Sequence, residues 1–493
     1  MRRNPSRPRR RPLLVGLVAL GLLAAACEDV DDSLVTPATT TIPTTDPPLT
    51  TQPSASTTAP PTTAAAAGGE DGVLRIASLL PATGSLAAFG PPLIEAVELA
   101  VIDINAAGGV LGQPVELLAA DSGSDADVAA TEVGALLDGG ADVVIGPVVG
   151  GVTRRVFDTV ISRPALSCLP STTAADIGVR DSPFAIRTAP SDDLQALALA
   201  ELAAGDEPAS VTLLAPEDER GLRFASGIAA ELTTLEIELA GEVVYDPESE
   251  DLSDTVQAVV DAGGDVVAVL GAIDEAPLVA DLVAAGIDGG SILVTDALAG
   301  PQLGERASEE DPGVVEGVRG TVPTDLAPQG AEFFLPAFVD FAGNIDTFFA
   351  AQAYDCVAVV ALAAVSVSST DPATLTGALV DVTVGGTPCD TIAECVTLLG
   401  AGEDIDYVGA SGVDLDDAGE ATSAVYDVFT FDADGTQQPL TQLGVGPAAA
   451  ALAAAEAEGD AEEGDGEEGD GEDPADPADG DEDPDATDED EGT

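Results

Sequence analysis

The chain contains no lysine, no histidine and no tryptophan, and aromatic residues make up only 3% of it. Each absence removes a chemistry. Without histidine there is no Ser-His-Asp triad, no HExxH zinc site and no imidazole general base. Without lysine there is no Schiff base and no Walker A lysine. Positive charge is scarce altogether: 16 arginines stand against 89 acidic residues among 493, a formal net charge of −73. A phosphate backbone would be repelled, so nucleic acid is excluded as a partner. No nucleophile–base pair and no ligand cluster points to an enzyme, a cofactor or a metal. What is abundant is Ala, Val and Leu. Hydrophobic residues are 45% of the chain, enough for the cores of two or three domains.

The two ends read as something other than fold. Six arginines fall in the first twelve residues, and an apolar run of 14, Leu13–Ala26, leads to Cys27. This pattern is a signal peptide over 1–26, too short for a comfortable membrane span. Small-small-Cys resembles the lipobox of bacterial lipoproteins, which makes Cys27 the lipidated first residue of the mature chain. Ala24 stands where that box usually has Leu, and plain cleavage leaving a free Cys27 is the alternative. Residues 27–70, rich in Thr and Pro, are an extended tether. Residues 456–493 hold 21 acidic and no basic residues, so the end of the chain, 441–493, is expected to be a disordered acidic tail without EF-hand spacing. The body between, 71–455, still has 62 acidic residues against 10 basic, a surface suited to a salt-rich setting.

Within the body, hydrophobic patterning alternates between strand and helix. Apolar runs at 73–81, 115–121, 141–147 and 164–169 predict strands, and helical spacing at 91–107, 127–140 and up to about Val160 separates them. The rhythm restarts after Ser191, with strands at 210–216, 237–246, 265–272 and 291–296 and helices at 192–204, 220–233, 251–263 and 276–286. Two α/β units in series follow, lobe 1 (71–190) and lobe 2 (191–316), each with a parallel sheet. Residues 317–405, mostly helical, return to lobe 1, and 406–440, with a late strand at Tyr426–Phe431, return to lobe 2.

Ligands of open parallel sheets bind beyond the carboxyl ends of strands, so the loops there carry the candidates. In PATGSLAAFG (81–90), Ser85 either contacts a ligand or caps the next helix, and Phe89 offers an apolar wall. In GPVVGGVT (146–153), Gly150 and Gly151 start a helix; their N–H groups favour an anion, unless the pair only permits close packing. In PSTTAAD (170–176), Ser171, Thr172 and Thr173 stand at an expected helix start and suit a carboxylate, one of them serving as the cap. Arg220 follows the 210–216 strand, and Asp296 follows the 291–296 strand, where it either meets an ammonium group or caps a helix. Hydroxyls and N–H groups in one lobe facing an acid in the other suit a zwitterion.

These segments carry a resemblance. AVIDINAAGGVLG (100–112), DVVIGPVVGGVT, FAIRTAPSDDLQ (184–195), GVRGT (317–321), AYDCVAVVALA (353–363) and YVGASGVDLDDAGE (407–420) resemble, in order, the branched-chain amino-acid binding proteins, the type I periplasmic solute receptors of ABC importers. The resemblance spans about 75–440 and implies two Rossmann-like lobes with parallel central sheets, joined by a three-segment hinge that closes on the ligand. It implies that Thr172 and Thr173 bind the ligand's α-carboxylate and α-amino groups, that Ser85 to Phe89 line the side-chain pocket, and that Asp296 meets the ammonium. It also implies an ABC permease as partner, a monomer, and a place on the outer face of the cytoplasmic membrane. Two departures bear on the ligand: Gly150 stands where the family usually has Ser, and Arg220 where an aromatic often precedes Gly. A branched-chain-like amino acid, an acidic one or a small amide such as urea all fit, and a bidentate Arg would suit a second carboxylate.

Cysteine use fits export. Cys389 and Cys395, six apart, read as a local disulfide, and Cys168 and Cys356 as buried thiols rather than a second bridge. The leading expectation is therefore a lipid-anchored receptor that delivers an amino acid or small amide to a permease by hinge closure. A ligand sensor without transport is the alternative on the same fold. An exported enzyme and a wall-associated protein with a degenerate cleft are the readings from other classes.

Overall fold

The computed structural model describes residues 71–453, apart from 164, 250, 301, 325, 344, 345 and 451. The signal segment, Cys27, the tether and the acidic end beyond 453 lie outside the described residues. Lobe 1 opens with β1 (Arg75–Leu80), almost wholly buried. α1 (Gly90–Ala106) follows, its first turn preset by Pro91 and Pro92; Leu93, Ala96, Val97, Ala100 and Ile104 form its buried stripe. β2 (Glu116–Asp121) comes next, then α2 (Ala126–Asp138), whose N-terminus is capped by the Asp125 carboxylate accepting from the Asp127 and Val128 N–H groups. β3 (Val143–Ile145), α3 (Gly150–Ile161), β4 (Leu166–Leu169) and β5 (Ala185–Arg187) complete a parallel sheet of order β2-β1-β3-β4-β5.

The chain then builds lobe 2: α4 (Asp192–Ala204), β6 (Ser210–Pro216), α5 (Glu219–Thr234), β7 (Glu238–Tyr245), α6 (Ser253–Ala262), β8 (Val266–Val269), α7 (Ala276–Ala284), β9 (Ile292–Val294), α8 (Leu303–Ala307) and β10 (Arg319–Pro323). It returns to lobe 1 for α9 (Pro328–Ala342), α10 (Ala350–Val367), β11 (Thr387–Cys389) and β12 (Ile405–Tyr407), and ends in lobe 2 with β13 (Ala424–Phe431) and β14 (Gln437–Val445). The lobe 2 sheet runs β14-β13-β10-β9-β8-β6-β7, parallel from β7 to β10 and antiparallel through the final hairpin. α10 has the length and apolarity of a membrane span, but every residue from Ala350 to Ala364 is buried and the helix packs on α1 as the centre of the lobe 1 core.

Three crossovers join the lobes, and buried polar contacts tie them to one another. Arg187 is fully buried; its Nε lies 2.9 Å from Glu420 Oε2, and its N–H donates to Gly419 O at 2.8 Å. Thr324 N–H donates to Val425 O at 2.9 Å.

Several boundaries differ from the sequence reading. β10 lies in the lobe 2 sheet, so the return to lobe 1 begins after Pro323 rather than at 317. Tyr407, Val413 and Leu415 belong to the lobe 1 core, so that segment runs about ten residues past 405. Residues 441–445, assigned to the tail, are the end of β14. Cys168 and Cys356, expected as thiols, form a disulfide with Cα atoms 5.8 Å apart, joining β4 to α10; Cys389 and Cys395 form the local pair.

Candidate functional site

On lobe 1 the loop after β1 is shaped by an acid that sequence reasoning passed over. Asp121, at the end of β2, accepts from the N–H groups of Ala82, Thr83 and Gly123 and from the Thr83 hydroxyl, which together hold its carboxyl below the usual range. Gly84 turns at φ +90°, and a Cβ there would sit 2.1 Å from Gly123 O. Ser85 is exposed and is not a helix cap, since Phe89 is the N-cap of α1 and makes no side-chain cap bond. The Phe89 ring, 43% exposed, packs 4.8 Å from that of Phe348, which meets Phe349 at 4.9 Å.

The loops after β3 and β4 meet each other. Gly150 and Gly151 occupy the first turn of α3, where N–H groups lack intrahelical acceptors. A Cβ on Gly150 would lie 3.2 Å from Ala174 Cβ and 3.3 Å from an Arg154 nitrogen; one on Gly151 would meet nothing within 4 Å. The turn 170–176 does not begin a helix, contrary to expectation. It also turns two of its hydroxyls inward. Thr172, 1% exposed, bonds Thr153 Oγ1 at 2.9 Å and Pro147 O at 3.1 Å, and Ser171 Oγ donates to Val148 O at 3.3 Å. Their hydroxyls are spent joining two loops, which corrects the expectation that Thr172 offers its side chain to a ligand. The Thr173 hydroxyl has no hydrogen-bond partner among the described residues, while its carbonyl accepts from Asp192 N–H at 2.9 Å.

Asp192 is the residue that joins the two walls. It begins α4, capped by Ser191, and its carboxylate pairs with Arg220 at 2.9 Å. Arg220 also reaches Asp296 at 3.4 Å and lies over the Phe224 ring. The guanidinium is thus shared between two carboxylates rather than left open for a ligand. Burial opposes its charge, but Asp192 and Asp296 more than compensate and hold its pKa above the ordinary value. Burial raises the Asp296 carboxyl; Arg220 pulls it back and Asp192 pushes it up further. With both carboxylates ionised, one guanidinium leaves the cluster a net charge of about −1. On the facing side Arg154 forms a two-bond pair with Asp176 at 2.6 and 2.7 Å and lies within electrostatic reach of Glu219 and Asp192.

The structure therefore links Gly150, Ser171, Thr172, Thr173, Arg220 and Asp296 through the contacts of Ala174 and Asp192, and packs Phe89 against Phe348. Asp192 had one available signal: an acid directly after an N-cap serine, which also describes an ordinary helix start. No described residues form a metal-binding group of three or more ligands.

The family model described as periplasmic binding protein matches residues 73–394. A substrate-binding protein of a chemotactic signal transduction system, BasB of Halobacterium salinarum, is 29% identical over 354 residues, covering 69% of this chain and 83% of that protein. The Leu/Ile/Val-binding protein BraC3 of Rhizobium johnstonii is 32% identical over 123 residues, a match spanning 25% of this chain and 34% of BraC3. Among solved structures, the branched-chain amino acid transporter substrate-binding protein LivJ of Streptococcus pneumoniae, in complex with isoleucine, superposes with a TM-score of 0.54 at 19% identity, covering 76% of this chain and 100% of LivJ, which establishes the shared fold.

Proposed function

The chain belongs to the periplasmic binding protein family, and we propose that it captures an amino acid, branched-chain-like, or a small amide between its lobes and delivers it to an ABC permease by hinge closure. The family consists of solute-binding proteins and implies an extracytoplasmic location. One observation carries the ligand class: first-turn N–H groups of α3 and the Thr173 hydroxyl lie on one wall, and a cluster of net negative charge on the other. The first complements a carboxylate and the second an ammonium group. Phe89 and Phe348 supply an apolar surface for a side chain. In this reading Cys27 carries the lipid that keeps the receptor, a monomer, at the outer face of the membrane.

A sensing role without transport is the second reading. It is favoured by the likeness to BasB, whose name places it in chemotactic signalling. Stimulation of a reconstituted permease ATPase by the loaded protein would support delivery; stimulation of a chemoreceptor instead would support sensing.

The test of ligand class is a thermal-shift series on the purified protein in high salt. A ligand that binds only the folded state raises the melting temperature by linkage. Leu, Ile, Val or a small amide is expected to do so. A shift with dicarboxylates alone would mean that Arg220 leaves its two acids to bind ligand. No shift with any solute, from folded protein, would favour a degenerate cleft and defeat the proposal.

A further inference from the structure

A cavity of about 260 Å³ lies at the hinge, away from every candidate residue of the interlobe cleft. Val384 and Val413 wall it from lobe 1, and Val425 and Pro447 from lobe 2. Ala327 and Ser423, on two of the crossovers, complete it. Its volume is just below the span of drug-sized ligand sites, about 300–1,000 Å³, so its occupant is small. Two carboxylates, Asp406 and Asp414, interrupt the apolar lining. Burial raises both pKa values, partly offset by hydrogen bonds from the Gly385 N–H to Asp406 and from the Thr422 hydroxyl to Asp414, and Asp414 adds to the effect on Asp406.

Neither acid has a cation among the described residues. All ten described arginines are paired with other carboxylates, and none lines the cavity. Half-buried charge beside hydrocarbon is costly unless a counter-charge joins it. Water solvates the carboxylates but not the valine walls, whereas an amine on a short hydrocarbon body satisfies both. We infer that this cavity is a second binding site, for a small organic cation with an apolar body. The inference is independent of which solute the cleft takes, because the two sites share no residue.

Cyclohexylammonium is a probe of this class, and cyclohexanol is its neutral isostere. Both would be titrated into the purified protein at constant ionic strength, with binding read by saturation-transfer NMR. The amine is expected to bind saturably with Kd of about 1 mM or below, and the alcohol at least about tenfold more weakly. The double variant D406N/D414N should lose at least about tenfold in amine affinity. Ala448→Trp, which fills the cavity from the C-terminal side, should abolish binding of both probes while leaving both aspartates in place. Equal binding of amine and alcohol, amine affinity unchanged in both variants, or no saturable binding at roughly tenfold higher concentration would overturn the inference. Loss of binding in Asp296→Asn instead would put the amine in the cleft and overturn it equally.

Discussion

Lobe 1 offers the proposed ligand glycine N–H groups and a threonine hydroxyl, and both disulfides, Cys168–Cys356 and Cys389–Cys395, lie in its core. Lobe 2 offers it Asp192, Arg220 and Asp296, and has no disulfide among the described residues. The difference separates two ways of making a binding wall. Backbone dipoles are oriented by the fold before any ligand arrives and need no counter-charge. An ion cluster holds its charges only while they are paired, so a ligand ammonium must enter a group whose guanidinium is already in place. Under the proposed function, lobe 1 sets position and lobe 2 sets which charge is accepted.

The largest expected effect breaks the covalent half of that contrast. The Cys168–Cys356 bridge closes a separation of 188 residues, and C168A/C356A should cost about 5 kcal/mol on the chain-entropy account. Chemical denaturation would measure the loss, and hydrogen exchange should place the new openings in lobe 1; openings spread equally over lobe 2 would contradict the assignment. Next comes Asp142 at the foot of β3, which accepts from Arg75 N–H at 2.8 Å but leaves its other oxygen buried without a partner. Burial pushes its carboxyl up to about 7. An unfolded aspartate titrates near 3.9, so between about pH 4 and 7 the folded chain keeps a proton that the unfolded chain has released, and stability falls as pH rises through that window. Asp142→Asn should remove this fall, leaving the variant about 2–4 kcal/mol more stable than the parent at pH 8 and level with it near pH 4. Melting curves across pH would check it.

Arg220→Ala tests the ion cluster. It strands Asp192, 5% exposed, beside Asp296, and with the arginine itself 33% exposed the expected cost is about 2–3 kcal/mol. Adding Asp296→Asn should recover part of that cost; a double variant no better than the single would mean that the two acids do not strain one another. The smallest effects separate adjacent threonines. Thr172→Val should lose about 1–2 kcal/mol of stability, because it leaves Thr153 and two carbonyls without their shared hydroxyl. Thr173→Val should leave the melting temperature within about 1 °C and weaken ligand binding about tenfold. The reverse pattern in calorimetry would exchange their roles.

Much of the architecture was legible in the sequence because buried parallel strands are unbroken apolar runs and the helices between them keep a helical period. β5 escaped because its three residues include Arg187, a charge that reads as surface and is in fact fully buried against Glu420. β14 escaped because most of it is exposed, so it lacks an apolar run. The site was legible only in its loops. Thr172 and Thr173 have the same side chain in consecutive positions, and only the approach of Pro147 and Val148 sends one hydroxyl inward.

The sequence by itself determined the fold class of this protein: an α/β rhythm repeated in two units, with hydroxyls and acids placed after strands. These follow from composition and from local periodicity, which a chain carries before it folds. The tertiary structure decided which groups remain available. Cys168 finds Cys356 across 188 residues, Arg220 is taken by Asp192 and Asp296, and the Thr173 hydroxyl has no partner among the described residues. Pairing depends on distance in space, and distance is set by the packing of α1, α10 and the two sheets rather than by any segment alone.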